Sequence, residues 1–486
     1  SAYLANKIYD YNWKRILFLK LYCLSYYRCF WYRRQGRLLT RMFDYTTFVL
    51  IGLLIFSVAM GVHIVIALGM TSIVGVYLVT GNFGIVQKLV GSTSFEALRN
   101  YVFAVIPLFM LMGEFISKSG AITDVYRGIQ RGLRRLPGRL AFATVLGNAI
   151  FSFVTGVSIA SAAAFTRIAY PEMKRHKYNN GFSLAAITGS SCLGMLIPPS
   201  VLMIVWGILT ERSIGQIFLA GVLPGLLLTS LFIIYIFFAS ILKPTLVGLN
   251  KDGTTDGIEI IDDTIGHTEG NVWLSFLWII GIISLVLGGI WVGFFSPTEG
   301  AGVGATLGLL LAITKGVTRK EIIDTILSVG RTSAPILLLL LAASLYSRSL
   351  AMTGVTNTIN DMFLATGFGF IGIVFLMILV WFILGMIIDS ISIMLLTVAI
   401  FEPIAVSLGI EPLAFAIIGI IAIEAGLLTP PFGLLVYTVK TSARDDDVKL
   451  GQIFYYSIPY WIIMLFTVFI LLMFPQIATF LPDAVF

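Results

Sequence analysis

The sequence predicts an all-α polytopic membrane protein built from two structural repeats, and three observations carry that prediction. Hydrophobic residues make up 58% of the chain and charged residues 12%, with a mean hydropathy of +0.96, whereas soluble domains carry roughly 25% charged residues. The 486 residues leave room for about a dozen spans of ~20 residues with their loops. A double proline also interrupts an apolar run twice. Gly194-Met-Leu-Ile-Pro-Pro-Ser-Val-Leu202 returns 232 positions later as Gly426-Leu-Leu-Thr-Pro-Pro-Phe-Gly-Leu434, with five of nine residues matching. Ser158 with Ser390 and Pro171 with Pro403 keep the same offset, so an ungapped register of internal duplication runs from Ser158 to Leu202.

Proline has no N–H, and its ring clashes with the carbonyl one turn back, so Pro-Pro inside an apolar helix breaks the ladder and frees carbonyl oxygens. Lipid cannot solvate them. Such breaks persist where protein or a water-filled cavity satisfies them, and matched breaks in two repeats point to the binding site of a secondary transporter rather than to two inert kinks. The other classes lack their chemistry. No Gly-x-x-x-x-Gly-Lys-Ser/Thr phosphate loop and no His-Glu-x-x-His string occurs, against ATP-driven transport and zinc proteolysis. Cys23, Cys29 and Cys192 and the scattered His63, His176 and His267 offer no metal or disulfide spacing. The net charge of +7 fits cytoplasmic loops of a membrane protein, not nucleic-acid binding.

Residues 1–47 are basic and aromatic without an uninterrupted span; an interfacial helix and a leader ahead of Met42 both fit them. Residues 48–242 form the first predicted repeat. Residues 48–81 suit one tilted span with room for a short second piece, and residues 101–118 a proline-led segment with Pro107 and Glu114. Arg127, Arg131, Arg134, Arg135 and Arg139 follow with no acid among them, which reads as a basic amphipathic surface helix on the cytoplasmic side. Residues 140–153 and 158–170 are each too short to cross the hydrocarbon and flank a small polar string from Thr155 to Ser161. A re-entrant hairpin and one long helix with back-bonded serines both fit. Lys174, Arg175, His176 and Lys177 belong near headgroups. A broken helix from Gly181 to about Thr210 and a span from Ile217 to Leu242 complete the repeat.

Residues 243–270 are the polar linker, whose acids Asp252, Asp256, Glu259, Asp262, Asp263 and Glu269 lack a ligand motif and read as solvated. The second repeat, 271–486, opens with an apolar segment from 272 to 295. Ser296-Pro297-Thr298-Glu299 and a span to Ile313 follow, then a proline-led segment from 334 to 352. Residues 369–402 are apolar except at Asp389-Ser390-Ile391-Ser392 and the closing Glu402. An ionised Asp at membrane depth is functional by default. The second broken helix carries Glu424 just before Gly426, and a span from 453 to 474 ends the series.

Five strings taken in order resemble the large membrane subunit (DctM type) of tripartite ATP-independent periplasmic, or TRAP, transporters. They are Pro107-Leu-Phe-Met-Leu-Met-Gly113, Leu196-Ile-Pro-Pro-Ser200, Phe294-Phe-Ser-Pro-Thr-Glu299, Gly385-Met-Ile-Ile-Asp389 and Gly426-Leu-Leu-Thr-Pro-Pro431. The resemblance covers the chain from about Phe48 onwards. It implies inverted repeats with re-entrant hairpins and broken helices, divided between a scaffold and an elevator-type transport domain. It further implies a Na+-coupled importer of small organic acids (C4-dicarboxylate, sialic acid or keto-acid class) in a bacterial inner membrane, with no cofactor beyond the coupling ion. The implied partners are a small four-helix membrane subunit, a periplasmic substrate-binding protein and membrane lipid. A membrane scaffold or assembly protein without transport activity is the alternative.

On this reading Na+ is held by carbonyls freed at the two breaks with nearby hydroxyl and carboxylate oxygens. The candidates are Gly156, Ser158, Ser161, Thr188, Ser190, Gly194 and Pro198 in the first repeat. In the second they are Asp389, Ser390, Glu424, Gly426, Thr429 and Pro430. Ser161 and Ser392 at the tips are candidate substrate ligands. Arg348 and Arg167 join them, because an arginine at membrane depth is costly unless paired and its planar fork suits a carboxylate. The chain departs from its relatives at two places. The first tip reads Thr155-Gly156-Val157 and then Ser161, where relatives have Ser-Gly-Ser and an Asp. His63 replaces a proline and reads as a packing variant rather than a proton-handling group.

Overall fold

The computed structural model describes residues 45–249, 272–356, 358–359, 362 and 369–486. The basic aromatic segment as far as residue 44 and the linker acids, with His267, lie outside the described residues. Among the described residues every regular element is helical. The first half contains α1 (Tyr45–Ala59), α2 (Ile64–Thr80), α3 (Phe83–Arg99), α4 (Val105–Lys118), α5 (Ala121–Gly132), α6 (Arg139–Thr155) and α7 (Ser158–Arg175). It continues with α8 (Asn180–Ser191), α9 (Leu193–Leu196), α10 (Val201–Thr210) and α11 (Ile214–Leu242). The second half contains α12 (Val272–Trp291), α13 (Pro297–Thr314), α14 (Arg319–Thr353), α15 (Phe370–Gly385) and α16 (Ser390–Ser407). It ends with α17 (Pro412–Gly426), α18 (Leu434–Ala443), α19 (Leu450–Met473) and α20 (Gln476–Val485).

The structure corrects three expectations. The first apolar block is two helices of similar length, not one span with a short second piece, because the chain turns at Gly61 with φ of +75°. His63 is not a packing residue there. It is exposed and caps α2, its Nδ1 accepting from the Val65 amide at 3.4 Å. The proline-led segment expected at 334–352 belongs to a continuous helix, α14, which carries Pro335 inside it. Its counterpart in the first half is divided into α3 and α4 by Asn100, whose side chain accepts from the Val102 amide at 3.1 Å and so starts a new turn.

The 232-residue register extends well beyond the motif that revealed it. Ser158–Arg175 and Ser390–Ser407 are offset by that amount at both ends, and so are the starts of α8 and α17. The two halves do not pack as separate bodies. α2 lies against α14 and α4 against α13, while α7 packs on α18 and α10 on α16, so each pairing has a symmetry mate with the halves exchanged. The unit from Asn180 to Thr210 is 89% buried in its most apolar window, against 33% for α12, α14 and α19. A helix that is apolar all round belongs in a core. The broken helices and hairpins therefore form the interior, and the long spans face lipid.

Aromatic packing and ion pairs close this interior across the repeats. Trp206 of α10 meets Trp381 of α15 at 6.1 Å between ring centroids, and both meet Phe415 of α17. Large buried rings in edge-to-face contact contribute more than their area alone. At one end, Asp445 between α18 and α19 accepts from Tyr170 at 2.6 Å and Lys174 at 2.5 Å, both on α7. At the other, Glu402 of α16 accepts from Arg212 after α10, at 2.9 Å from Nε and 2.6 Å from Nη2. Tyr170 and Glu402 are again 232 residues apart. Each hairpin arm is thus bracketed to the broken helix of the opposite repeat. The Lys174 ammonium and the Tyr170 hydroxyl hold the Asp445 carboxyl below the usual carboxylate range. Its stabilisation is complete above the unfolded-chain value and is lost as pH falls through the lower folded one.

Exchanging charges tests the brackets. Arg212→Glu and Glu402→Arg should each lower stability to denaturant in detergent by about 1–3 kcal/mol, and the double swap should restore most of it. A double swap no more stable than either single variant would mean that the pair does not brace the halves.

Candidate functional site

The first tip is built by Gly156. Its φ of +61° ends α6, and a Cβ there would lie 2.3 Å from the Pro199 carbonyl oxygen, an approach only glycine allows. The chain therefore turns into a hairpin and does not continue as one helix. Its carbonyl accepts from the Val201 amide at 3.0 Å, which seats the tip on the proline break. Gly194 permits a second close approach, to the backbone of Ser158. Across the break, the Ser200 hydroxyl donates to the Met195 carbonyl at 2.5 Å. No hydrogen bond among the described residues reaches the carbonyls of Ile197, Pro198 or Pro199. In an unbroken helix they would pair with the amides of Val201, Leu202 and Met203, but Val201 donates to Gly156 and Met203 to the Ser200 hydroxyl.

Behind this tip lies a residue that the sequence reading missed. The Asn148 Oδ1 of α6 accepts from the Ser161 hydroxyl of α7 at 2.7 Å, and its Nδ2 donates to the Ser190 hydroxyl of α8 at 2.6 Å. All three side chains are fully buried. The amide thus joins both hairpin arms to the broken helix. It is the sole amide in the apolar run 140–153, a signal that could have marked it. Thr188 points back into its own helix, donating to Leu184 at 2.6 Å.

The second tip differs in its chemistry. The chain turns at Met386 and Ile387, and Asp389 is the N-cap of α16. Its carboxylate accepts from the Ser392 amide at 3.0 Å, a position where acidic side chains are favoured by the helix dipole. The Phe432 amide donates to the Met386 carbonyl at 3.3 Å, pinning this tip to the second break as Val201 pins the first. Gly385 and Gly426 touch backbone to backbone. The Thr429 hydroxyl donates to the Gly426 carbonyl at 2.6 Å, close to Pro430.

The two tips converge on Glu424. This carboxylate is 1% exposed; Oε1 accepts from the Ser390 hydroxyl at 2.6 Å, Ser158 of the first tip faces the same group, and Oε2 has no hydrogen-bond partner. Cys192, its equivalent 232 residues earlier, places its sulfur 3.9 Å from the Glu424 carbonyl oxygen. The repeats therefore meet at this point. An unpaired carboxylate in such a place is costly unless a proton or cation joins it. Hydroxyl, carboxylate and carbonyl oxygens are the donors of a hard cation. Two predicted substrate ligands lie elsewhere. Arg348 pairs with Glu96 and reaches Thr93 at 3.4 Å, lining a cleft of about 210 Å³ with Asn100 and Glu211. Arg167 is exposed, and its Nε turns back to the Ala163 carbonyl at 3.1 Å. Each has found a local partner, which is how an arginine avoids the cost of membrane depth.

Residues 51–477 match the family model of the tripartite ATP-independent periplasmic transporter, DctM component. The chain belongs to the DctM family. This TRAP permease is accordingly a multi-pass protein of the bacterial inner membrane. It is 29% identical over 397 residues to the C4-dicarboxylate TRAP transporter large permease DctM of Pseudomonas aeruginosa, covering 80% of this chain and 88% of that one. The ectoine TRAP transporter large permease TeaC of Halomonas elongata is 26% identical, over 90% of this chain and all of its own. The sialic acid TRAP transporter large permease SiaM of Vibrio cholerae is 25% identical, over 83% and 90%. Among solved structures, the YdaH transporter of Alcanivorax borkumensis superposes with a TM-score of 0.58 at 14% identity, over 82% of this chain and 89% of its own. MtrF of Neisseria gonorrhoeae gives 0.55 at 15%, over 86% and 93%. These two share the fold.

The Asn148 junction yields a direct expectation for this permease. Asn148→Leu keeps the volume but leaves the Ser161 hydroxyl without its acceptor, and should cost about 1–3 kcal/mol in detergent unfolding. Thr166→Val on α7, whose hydroxyl bonds only back to Ala162, should cost well under half of that. Equal losses would show that Asn148 is ordinary helix packing.

Proposed function

We propose that this permease is the Na+-coupled importing subunit of a TRAP system for small organic acids. It works with a small four-helix membrane subunit and receives substrate from a periplasmic binding protein. The observation that carries this reading is the convergence of both hairpin tips and the second broken helix on Glu424, whose second oxygen has no hydrogen-bond partner among the described residues. Ser158, Ser390 and Glu424 fit a hard monovalent cation, which would supply the charge that this buried carboxylate needs. Asp389 adds a second negative charge at the tip of the second hairpin. The first tip, with Gly156, Ser161, Ser190 and the carbonyls near Pro198, offers neutral oxygens to a second ion. The hydroxyls of Ser161 and Ser392 lie near the two tips where a substrate carboxylate can bind. The cross-braced interior supports an elevator movement, in which hairpins and broken helices travel as one body past the lipid-facing helices. The relatives named for C4-dicarboxylate and sialic acid agree with an acidic substrate.

Uptake in proteoliposomes containing the permease, its small subunit and the binding protein tests this, with a panel of organic acids and an imposed Na+ gradient. Accumulation should follow the gradient; none under any condition would favour a scaffold or assembly role. Asparagine caps a helix as well as aspartate does, so Asp389→Asn removes the charge while keeping α16 capped. It should raise the Na+ concentration for half-maximal uptake by about tenfold or more, as should Glu424→Gln. Wild-type Na+ dependence in both variants would remove the carboxylates from coupling.

A further inference from the structure

One end of the molecule concentrates positive charge where several helices finish. Arg127, Arg134 and Arg135 are exposed on α5 and the turn after it, Lys177 follows α7, and Lys243 ends α11. Contacts join these ends into one face. Arg139 at the start of α6 reaches the His176 ring at 3.1 Å, and the Asn179 amide donates to the Leu246 carbonyl at 3.0 Å. Several acids at this end are already engaged. Glu172 lies beside Arg175 and His176, Asp445 holds Lys174, and Asp124 holds Lys315 at 2.9 Å. Asp446 and Asp447 just past Asp445 are exposed and outside any ion pair among the described residues, Asp447 acting on Lys174 at longer range. Among the described residues, no acid forms an ion pair with Arg127, Arg134, Arg135, Lys177 or Lys243. The opposite end differs, because there Arg212 and Arg348 each have a carboxylate partner.

We infer that this face is a seat for the headgroups of anionic phospholipid, centred on Arg127, Arg134 and Arg135. α5 has the build of an interfacial helix. Ala121, Ile122, Val125 and Tyr126 are buried towards the protein, Tyr126 against Phe165 at 6.0 Å, and the arginines face outward. Its position is fixed at its start by Asp124, which accepts from Lys315 at 2.9 Å and from Ser275 at 2.7 Å. The arginines are thus held at the level where the long spans end and headgroups begin. The excess of arginine assigns this end to the cytoplasmic side, whose leaflet is negatively charged. A basic group there is worth roughly a fivefold gain in anionic-lipid affinity. The leucine between the arginines and Pro137, Leu136, is 42% exposed, an apolar side chain placed to enter the acyl boundary beside the headgroups. The inference does not depend on Na+ coupling.

Native mass spectrometry of the full-length permease, released from detergent with phosphatidylglycerol or phosphatidylcholine present, reads the seat directly. The wild-type chain should retain phosphatidylglycerol in preference, and the preference should fall with salt. Arg127→Gln/Arg134→Gln/Arg135→Gln should weaken it about a hundredfold, while Lys88→Gln on exposed α3 should leave it intact. Gel filtration confirms that the variants are folded. Equal retention of the two lipids by the wild type would overturn the seat, as would an unchanged preference in the triple variant. Displacement of phosphatidylglycerol by inorganic phosphate at matched ionic strength would also overturn it, since the site would then bind a soluble anion.

Discussion

The structure depends on satisfying backbone polar groups where water is absent. Each proline pair leaves carbonyl oxygens that lipid cannot solvate, and the fold answers by bringing a re-entrant tip to each break. Gly156 lies on Pro199, and Met386 accepts from Phe432. The close glycine contacts, the buried serines and the cross-repeat packing all serve this meeting of tip and break. Oxygens left over by a broken helix are also of the kind that a hard ion can use.

Much of this was legible in the sequence because proline and charge are expensive in a membrane and stand out against an apolar background. The double prolines at 198 and 430, Ser158 with Ser390, and Glu424 were all visible for that reason, and the structure gathers them. The choice between hairpin and continuous helix was not legible, because Thr155-Gly156-Val157 is compatible with both until the close approach of Pro199 requires glycine. Asn148 was hidden by its surroundings: a single amide in an apolar run carries no periodic signal, and its partners lie on two other helices. For the arginines, sequence shows that a charge lies at membrane depth but not whether a local acid, such as Glu96 for Arg348, already faces it.

The duplication also conceals a difference. The hairpin arms and the starts of the broken helices keep their register, yet Cys192 of one copy lies against Glu424 of the other, and the tips carry Ser161 in one and Asp389 in the other. A symmetric frame thus encloses an asymmetric charge. The two copies of the motif are therefore not chemically equivalent.

The brackets that tie each hairpin arm to the opposite repeat also bear on how the chain is made. Arg212 waits 190 residues for Glu402, and Lys174 waits 271 residues for Asp445. At ribosomal speeds of about 5–20 residues per second, the first half enters the bilayer on the order of tens of seconds before its partners have been synthesised. During that interval its hairpin has no second repeat to close on, and its charged ends face headgroups or the insertion machinery alone. Assembly of the interior is therefore a late event in biogenesis, set by the arrival of the C-terminal helices.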